Sequence, residues 1–363
     1  MAENIKRVAV LGLGKVGTLV ATLLHETGFE VVGFDARKLR RKHPFKVEQK
    51  SAANKTEALR TCKGFDAVLS CLPYHLNVGV AKAAHQLGQH YFDLTEDVPT
   101  TKTIQELSKT SKGVMAPQCG LAPGLVGIIG AHLAEQFEQV RSIKLRVGAL
   151  PQHPTGLSGY AFNWSPEGVV NEYLNDCEVI EEGQHKWVSP MEWVEKIYVN
   201  GNRLEAFTTS GGLGTMCETY LGRVDNLDYK SMRYPGHVEL MNFFFHELLM
   251  RERRELAGEI LTHAKPPVDD DVVHIHCSAE GNIDGRLMRQ EYVRSYYPLR
   301  IAGRTWRAIA WTTSASVAAV IEMVSAGELP SKGFLKQELI PLEPFLKTRN
   351  GGLYEAALGG GAS

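Results

Sequence analysis

Arg7-Val8-Ala9-Val10-Leu11-Gly12-Leu13-Gly14-Lys15-Val16-Gly17 is the stretch that decides how the first third of this chain folds. Val8 to Leu11 is an apolar strand signal. Gly12, Gly14 and Gly17 follow with G-x-G-x-x-G spacing, and Leu19, Val20, Leu23 and Leu24 then recur at helical spacing up to Gly28. In a strand–turn–helix of this kind the first glycine makes the tight turn. The second lets backbone approach a pyrophosphate, and the third lets helix and strand pack closely. The phosphate oxygens would rest on unpaired helix N–H groups and the positive end of the helix dipole. Gly12, Gly14, Lys15, Val16 and Gly17 are therefore expected to bind a dinucleotide. Val31-Val32-Gly33-Phe34 reads as the next strand and ends at Asp35, where an acid accepts both ribose hydroxyls. A 2′-phosphate would meet its charge, so NAD is expected over NADP, although Arg37, Lys38, Arg40 and Arg41 follow closely and blur the preference.

Working outward, short apolar strands alternate with helices. A weak strand lies near Phe45-Lys46-Val47, a clear one over 67–71 and another over 90–94, with Val114-Met115-Ala116 after them. Helical spacing fills 77–87 and 101–111. Such alternation means βαβ units and a parallel, doubly wound sheet of the Rossmann type. Strand C-termini face the ligand crevice in such sheets. Cys71, Leu72 and Pro73 should then run along the nicotinamide-side ribose, and Asp93 should end a strand at the same edge.

The pattern changes near Cys119-Gly120-Leu121-Ala122-Pro123-Gly124, and 125–137 reads as a helix leaving the first domain. Beyond it, 143–147, 193–199 and 272–277 alternate with period two, which marks mixed sheet with one wet face. His237 to Ala264 reads as one long helix, ended by Pro266-Pro267. Thr312 to Ile321 is a small-residue helix that returns to the first domain. The expected architecture is α/β: a dinucleotide domain from 1–119 with 305–346, an inserted mixed α+β domain over 120–304, and a flexible tail over 347–363.

Composition narrows the function classes. Of 363 residues, 40 are Lys or Arg and 41 Asp or Glu, giving a formal charge of -1; a non-specific nucleic-acid binder would carry a net basic field. The short apolar run after Arg7 is no export signal, and no uninterrupted apolar run suggests a membrane span. The six cysteines are scattered without CxxC spacing, so a reducing cytoplasm is expected and neither disulfide nor zinc site. His274 and His276 share a strand face without a suitably placed third ligand and read as surface or interface histidines, so no metal is expected.

Seven stretches resemble the saccharopine dehydrogenase family, and among its branches the lysine 6-dehydrogenases: 12–17, Ser70-Cys71-Leu72-Pro73-Tyr74-His75, 91–96, 119–124, Trp164-Ser165-Pro166-Glu167-Gly168, Thr209-Ser210-Gly211-Gly212 and Arg233-Tyr234-Pro235-Gly236-His237. The resemblance implies a nucleotide domain with an inserted substrate-binding and dimerisation domain over 120–304, a homo-oligomer (dimer or tetramer), and a small amino-acid substrate. It implies NAD-dependent oxidative deamination of L-lysine at the ε-amine. The alternatives are a saccharopine or carboxynorspermidine dehydrogenase, acting on a secondary amine, or a non-catalytic nucleotide-binding protein of the same fold.

That chemistry asks for a proton acceptor and for polar anchors. Asp93 is a candidate base or amine ligand, with a strand-end cap as its plain alternative. Cys119 is a candidate if a helix N-terminus lowers its thiol pKa, against simple packing. His237 offers an imidazole near a helix start. Arg233 can clamp a carboxylate bidentately or form an inter-domain salt bridge. In Trp164-Ser165-Pro166-Glu167, Ser165 reads as a helix cap and Pro166 as the first turn. Trp164 is a candidate pocket wall and Glu167 a candidate amine ligand.

Overall fold

The structure is a computed structural model and describes residues 5–359. The chain divides into two compact units, 1–125 with 310–363 and 126–309. The first boundary falls after the glycine-rich 119–124 segment, and the return falls inside a helix rather than at 305.

Unit 1 opens with β1 (Arg7–Leu11), α1 (Lys15–Thr27), β2 (Glu30–Asp35) and β3 (Lys46–Gln49). It continues through α2 (Lys55–Cys62), β4 (Ala67–Ser70), α3 (Tyr74–Leu87), β5 (His90–Asp93), α4 (Val98–Ser108) and β6 (Val114–Ala116). Helix α2 has no counterpart in the sequence reading; its short apolar face hides behind Lys55, Glu57 and Arg60, and Asn54 caps it by accepting from the Glu57 N–H.

Between the two stretches of unit 1 come α5 (Leu125–Ala134), β7 (Gln139–Pro151), α6 (Pro166–Leu174), β8 (Cys177–Glu181), β9 (Gln184–Val188), β10 (Glu195–Val199) and β11 (Asn202–Thr208). They are followed by α7 (Met216–Tyr220), β12 (Asn226–Arg233), α8 (His237–Asn242), α9 (Arg254–Ala264), β13 (Asp271–Ile283), β14 (Arg286–Tyr296), β15 (Leu299–Ile301) and β16 (Arg304–Trp306). The chain then runs through α10 (Ala308–Ala326), β17 (Gly333–Phe334), α11 (Leu342–Lys347) and α12 (Gly352–Gly359).

The sheet of unit 1 is parallel throughout, in the order β3-β2-β1-β4-β5-β6-β17. Strand order reverses between β1 and β4, the switch point at which such sheets hold ligands beyond their carboxyl ends. Gly12 leaves β1 at that point. Unit 2 holds a mixed sheet in the order β10-β11-β12-β7-β13-β14, with β7 and β12 parallel and the other neighbours antiparallel. Its core gathers Leu150, Phe162, Val170, Tyr173, Phe207, Met232 and Phe245.

Three expectations change. The 237–264 stretch is not one helix. Val238, Met241 and Phe245 face the core, and the same stripe continued would carry Glu252 inward, an unpaired charge in an apolar interior. The chain instead passes through a π turn over Phe243–Glu247, takes Leu249 to φ 57°, and restarts as α9 with Ala257, Gly258 and Leu261 inward. The 347–363 stretch is no frayed tail over its described part. Tyr354 is buried against Trp311 at a ring distance of 5.4 Å and bonds the Thr312 carbonyl, and the Asn350 side chain donates to Thr27 Oγ1 at 2.9 Å. Residues 360–363 lie outside the described residues. Finally, α10 is long and apolar enough to cross a membrane by length and composition alone, which the sequence reading did not allow; most of it is buried in the protein.

The N-terminus of α10 is held by Asp271, fully buried at the start of β13. Its carboxylate accepts from Ala308 N–H at 2.6 Å and Ile309 N–H at 3.0 Å. Asp271→Ala removes both acceptors inside the protein and should cost roughly 2–4 kcal/mol. Calorimetry of the variant should show a lowered unfolding transition; an unchanged transition would mean that the two N–H groups find other acceptors.

Candidate functional site

The glycine loop is shaped by steric necessity. Gly12 has φ 86°, and a Cβ there would lie 2.8 Å from the Cys71 carbonyl oxygen. A Cβ on Gly17 would lie 1.9 Å from the Gly12 oxygen, so α1 reaches its place only with glycine there. At Gly14 nothing stands within 4 Å of where a Cβ would be, and no side chain caps α1. The loop thus offers open space in front of a helix N-terminus, the cradle a pyrophosphate needs. Thr18 N–H closes the first turn on the Gly14 carbonyl at 3.0 Å.

Asp35 faces back into this loop. Its Oδ2 accepts from Leu13 N–H at 3.0 Å, and its Oδ1 accepts from Arg37 N–H at 2.9 Å. The Arg37 guanidinium adds Nε at 3.1 Å and Nη2 at 3.2 Å. Burial opposes ionisation, but the Arg37 and Leu13 donors outweigh it and hold the carboxyl below its ordinary range. These residues fit a dinucleotide: a turn that admits phosphate, and an ionised acid at the end of the second strand.

On the β4 side, Cys71 N–H donates to the Leu11 carbonyl at 2.8 Å, which fixes Cys71-Leu72-Pro73 beside Gly12. The Cys71 thiol is pushed up to about 12 by burial and by the Asp93 charge. Ser70 Oγ donates to Asn77 Oδ1 at 2.7 Å. Asp93, wholly buried at the end of β5, accepts from Thr95 and Gln118 N–H groups at 3.0 and 3.1 Å and from Tyr91 Oη at 2.7 Å. Burial pushes its carboxyl up to about 6, moderated by those bonds. This is the strand-end cap, and it ties β5 to the segment after β6.

Cys119 departs from the expectation of an activated thiol. The helix near it begins only at Leu125. Burial and the Asp93 charge hold the thiol well above its ordinary pKa. Its S–H donates to the Ala116 carbonyl at 3.1 Å, and Gln337 Nε2 donates to the sulfur at 3.3 Å.

In unit 2, Arg233 and His237 come together through a residue the sequence reading missed. Arg233, only 3% exposed, donates from Nε to Tyr173 Oη at 2.8 Å. Tyr173 Oη lies 3.0 Å from His237 Nε2, and His237 Nδ1 lies 2.9 Å from the Ser158 carbonyl. A carbonyl only accepts, so Nδ1 carries the proton and Nε2 receives the tyrosine hydroxyl. Burial first, then the Arg233 charge, lowers His237 to about 3. His237 is a neutral link in a chain of hydrogen bonds, not the proton acceptor its residue type suggests. Arg233 also stacks over Tyr160 at 4.6 Å, and its ionic partner Glu172, at 3.9 Å, belongs to the same unit, so the bridge is not inter-domain. Tyr173 and Glu172 were hidden because the 169–174 stretch reads as an ordinary apolar helix face.

Ser165 caps α6 by accepting from Gly168 N–H at 3.1 Å, and Pro166 opens the helix as expected. Trp164 is half-buried against the unit 2 core, whereas Glu167 is exposed in the first turn, where an acid favours the helix dipole. His274 is buried rather than superficial, with Nδ1 2.6 Å from Ser295 Oγ. Among the described residues no three His, Cys, Asp or Glu side chains group to hold a metal.

Comparison with known proteins agrees with this fold. The family model of the saccharopine dehydrogenase NADP binding domain matches residues 8–116, and that of the saccharopine dehydrogenase C-terminal domain matches 120–351. The mouse (Mus musculus) mitochondrial alpha-aminoadipic semialdehyde synthase is 24% identical over 263 residues, covering 66% of this chain and 28% of that protein; its rat (Rattus norvegicus) counterpart is 23% identical over the same shares. The match thus spans just over a quarter of those relatives' length. Among solved structures, saccharopine dehydrogenase (L-Glu forming) from Saccharomyces cerevisiae superposes with a TM-score of 0.73 at 16% identity, covering 94% of this chain and 96% of that one. An engineered D-amino acid dehydrogenase bound to NADP+ gives 0.51 at 12% identity, covering 97% and 99%. With both domain models matched in order along nearly its whole length, this chain is an oxidoreductase of the saccharopine dehydrogenase family, built on a nicotinamide-dinucleotide-binding fold.

Proposed function

We propose that this member of the family oxidises the ε-carbon of L-lysine with NAD, releasing ammonia and leaving the 6-semialdehyde, which cyclises on its own α-amine to piperideine-6-carboxylate. The observation that carries lysine over saccharopine is the supply of buried cations in unit 2. Among its described residues, the buried Lys and Arg side chains are Arg146, Lys230 and Arg233. Asp228 lies 2.6 Å from Arg146 and Glu195 lies 3.1 Å from Lys230, so those two are matched by protein carboxylates. Only Arg233 has its nearest carboxylate standing off, at 3.9 Å. One under-matched guanidinium suits a substrate with a single α-carboxylate. Saccharopine carries a second acid arm and would ask for a further clamp.

Bound NAD supplies the two-electron acceptor. The ε-ammonium, with an ordinary pKa near ~10.4, must first lose a proton. Two electrons and a hydrogen leave Cε as hydride, the nitrogen sheds a further proton, and the resulting imine takes up water and loses ammonia. In sum, protonated lysine, NAD and water give semialdehyde, ammonium, NADH and one proton. The candidate bases do not match this demand. Asp93 already accepts three hydrogen bonds, Cys119 is held as the thiol, and His237 Nε2 receives Tyr173. In this reading all three position backbone and neighbours, and the ammonium proton leaves to water. Turnover should therefore rise with pH toward ~10 without an inflection at imidazole's usual ~6.5. Such an inflection would restore a histidine base.

NADH formation from NAD with L-lysine as the only substrate, with ammonia measured in parallel, tests the reaction. Lysine-dependent NADH with equal ammonia is expected. Silence with lysine and turnover with saccharopine would move the chain to the secondary-amine branch named by its yeast structural relative. Arg233→Lys, which keeps the charge and loses the fork, should raise the lysine KM at least about tenfold and leave the NAD KM unchanged; a lysine KM that does not move would remove Arg233 as the carboxylate anchor.

Asp93 supplies a stability test. Its carboxyl titrates near 6 when folded and near ~3.9 when unfolded, so the folded state holds the proton more tightly. That contribution is complete below the unfolded value and is lost as pH rises through the folded one. Asp93→Asn keeps the shape and removes the titration. The variant should gain on the parent protein by up to about 3 kcal/mol between pH ~4 and ~6, and the difference should level off above that. Thermal midpoints across this window that stay parallel would mean the carboxyl titrates alike in both states.

A further inference from the structure

We infer that Arg37 is a cofactor selector, a side chain that competes with the ribose diol of NAD for Asp35 and binds the 2′-phosphate of NADP, so that one site takes both nucleotides. The inference rests on the reading that the adenosine ribose lies at Asp35. The carboxylate of Asp35 has two kinds of donor around it. The backbone N–H groups of Leu13 and Arg37, one to each oxygen, belong to the turn and remain whatever is bound. The other two, Nε and Nη2 of the Arg37 side chain, occupy the remaining acceptor positions, one on each oxygen. These are the positions a vicinal diol would use. NAD can therefore reach Asp35 only by displacing the guanidinium.

The displacement is easy, because the Arg37 side chain is 75% exposed and a solvated ion pair is worth little. With NADP the same pairing works the other way. The guanidinium screens the carboxylate that would repel a 2′-phosphate, and it presents a planar fork to phosphate oxygens. Asp35 alone would exclude NADP, and Arg37 alone would favour it. Joined, they leave selection to one rotatable side chain.

The opposed signs make the test sharp. Binding of NAD and NADP to the full-length chain is titrated by calorimetry, with no amine present. The same is done for Arg37→Ala, and for Arg40→Ala as a control for the loop's general basic charge. Arg37→Ala should weaken NADP at least about tenfold while NAD stays level or tightens. Arg40→Ala should leave the NAD to NADP ratio near that of the parent. Rising salt should weaken NADP more steeply than NAD in the parent, and this difference should shrink in Arg37→Ala. The inference fails if the parent does not bind NADP, if Arg37→Ala moves both affinities in the same direction, or if Arg40→Ala shifts the ratio as much. Binding of neither nucleotide would overturn the dinucleotide reading as well. Failure to oxidise lysine would leave these affinities untouched, so the two readings are judged separately.

Discussion

Helix α1 lies against β1 because two residues lack side chains. Gly17 passes so near the Gly12 carbonyl that any Cβ would occupy the oxygen, and Gly12 itself turns with positive φ under the Cys71 carbonyl. Several consequences follow from that one contact. It brings Leu13 N–H onto Asp35, so the end of β2 is locked to the turn after β1. It sets Cys71 beside the loop, with its own N–H paired to Leu11. It also leaves α1 without a side-chain cap, its first-turn N–H groups directed at the space in front of Gly14. The dinucleotide cradle is thus a by-product of close packing: the sheet can only be assembled with the phosphate seat already formed.

Unit 2 meets its constraint with charge rather than with sterics. Its sheet carries Arg146 inward on β7, and the cost of burying a guanidinium is offset by Asp228 from the neighbouring strand and Glu195 from β10. Lys230, beside Arg146 in register, shares Glu195 and bonds the Trp193 carbonyl at 2.7 Å. The strands are held in place by a closed electrostatic set. Arg233 is treated differently. Its side-chain bonds go to a tyrosine hydroxyl and its own strand's backbone, its flat face goes to the Tyr160 ring, and Glu172 stands beyond hydrogen-bond reach. With its carboxylate at 3.9 Å, Arg233 is less closely paired than Arg146 and Lys230.

Much of unit 1 was legible because each element carried a local signal. The apolar run before Gly12, the helical spacing after it, and the glycines at 28 and 88 that close α1 and α3 in left-handed geometry all act within a few residues. Unit 2 was legible only in class. The parallel pairing of β7 and β12, whose residues lie more than 80 positions apart, leaves no mark in either strand. The break at Leu249 was invisible to helical spacing because Leu248 and Leu249 continue the apolar stripe of Val238, Met241 and Phe245 in sequence, although their own side chains are exposed. Site chemistry was hardest to see. Residue type alone marks His237 and Cys119 as reactive, but their behaviour is set by burial, by Tyr173 and Asp93 far off in sequence, and by Arg233 four residues before His237.

The thiols of unit 1 show what kind of chemistry the fold is built to support. Cys62 and Cys71 are pushed up to about 12, and Cys119 is held well above its ordinary value; for the latter two, burial is joined by the negative charge of Asp93. Asp93 in turn accepts from two backbone N–H groups and a tyrosine. An enzyme working through a covalent intermediate would be poorly served by an edge where the thiols are held protonated and the carboxylate already accepts three hydrogen bonds. A hydride transfer needs neither nucleophile nor strong base on the protein at the reacting carbon. It needs a fixed nucleotide, a fixed carbon and the exclusion of competing groups. A strand edge with protonated thiols and a hydrogen-bonded carboxylate, beside an open phosphate cradle, is compatible with that requirement, and under the proposed lysine oxidation the candidates that look most reactive in the sequence act as struts.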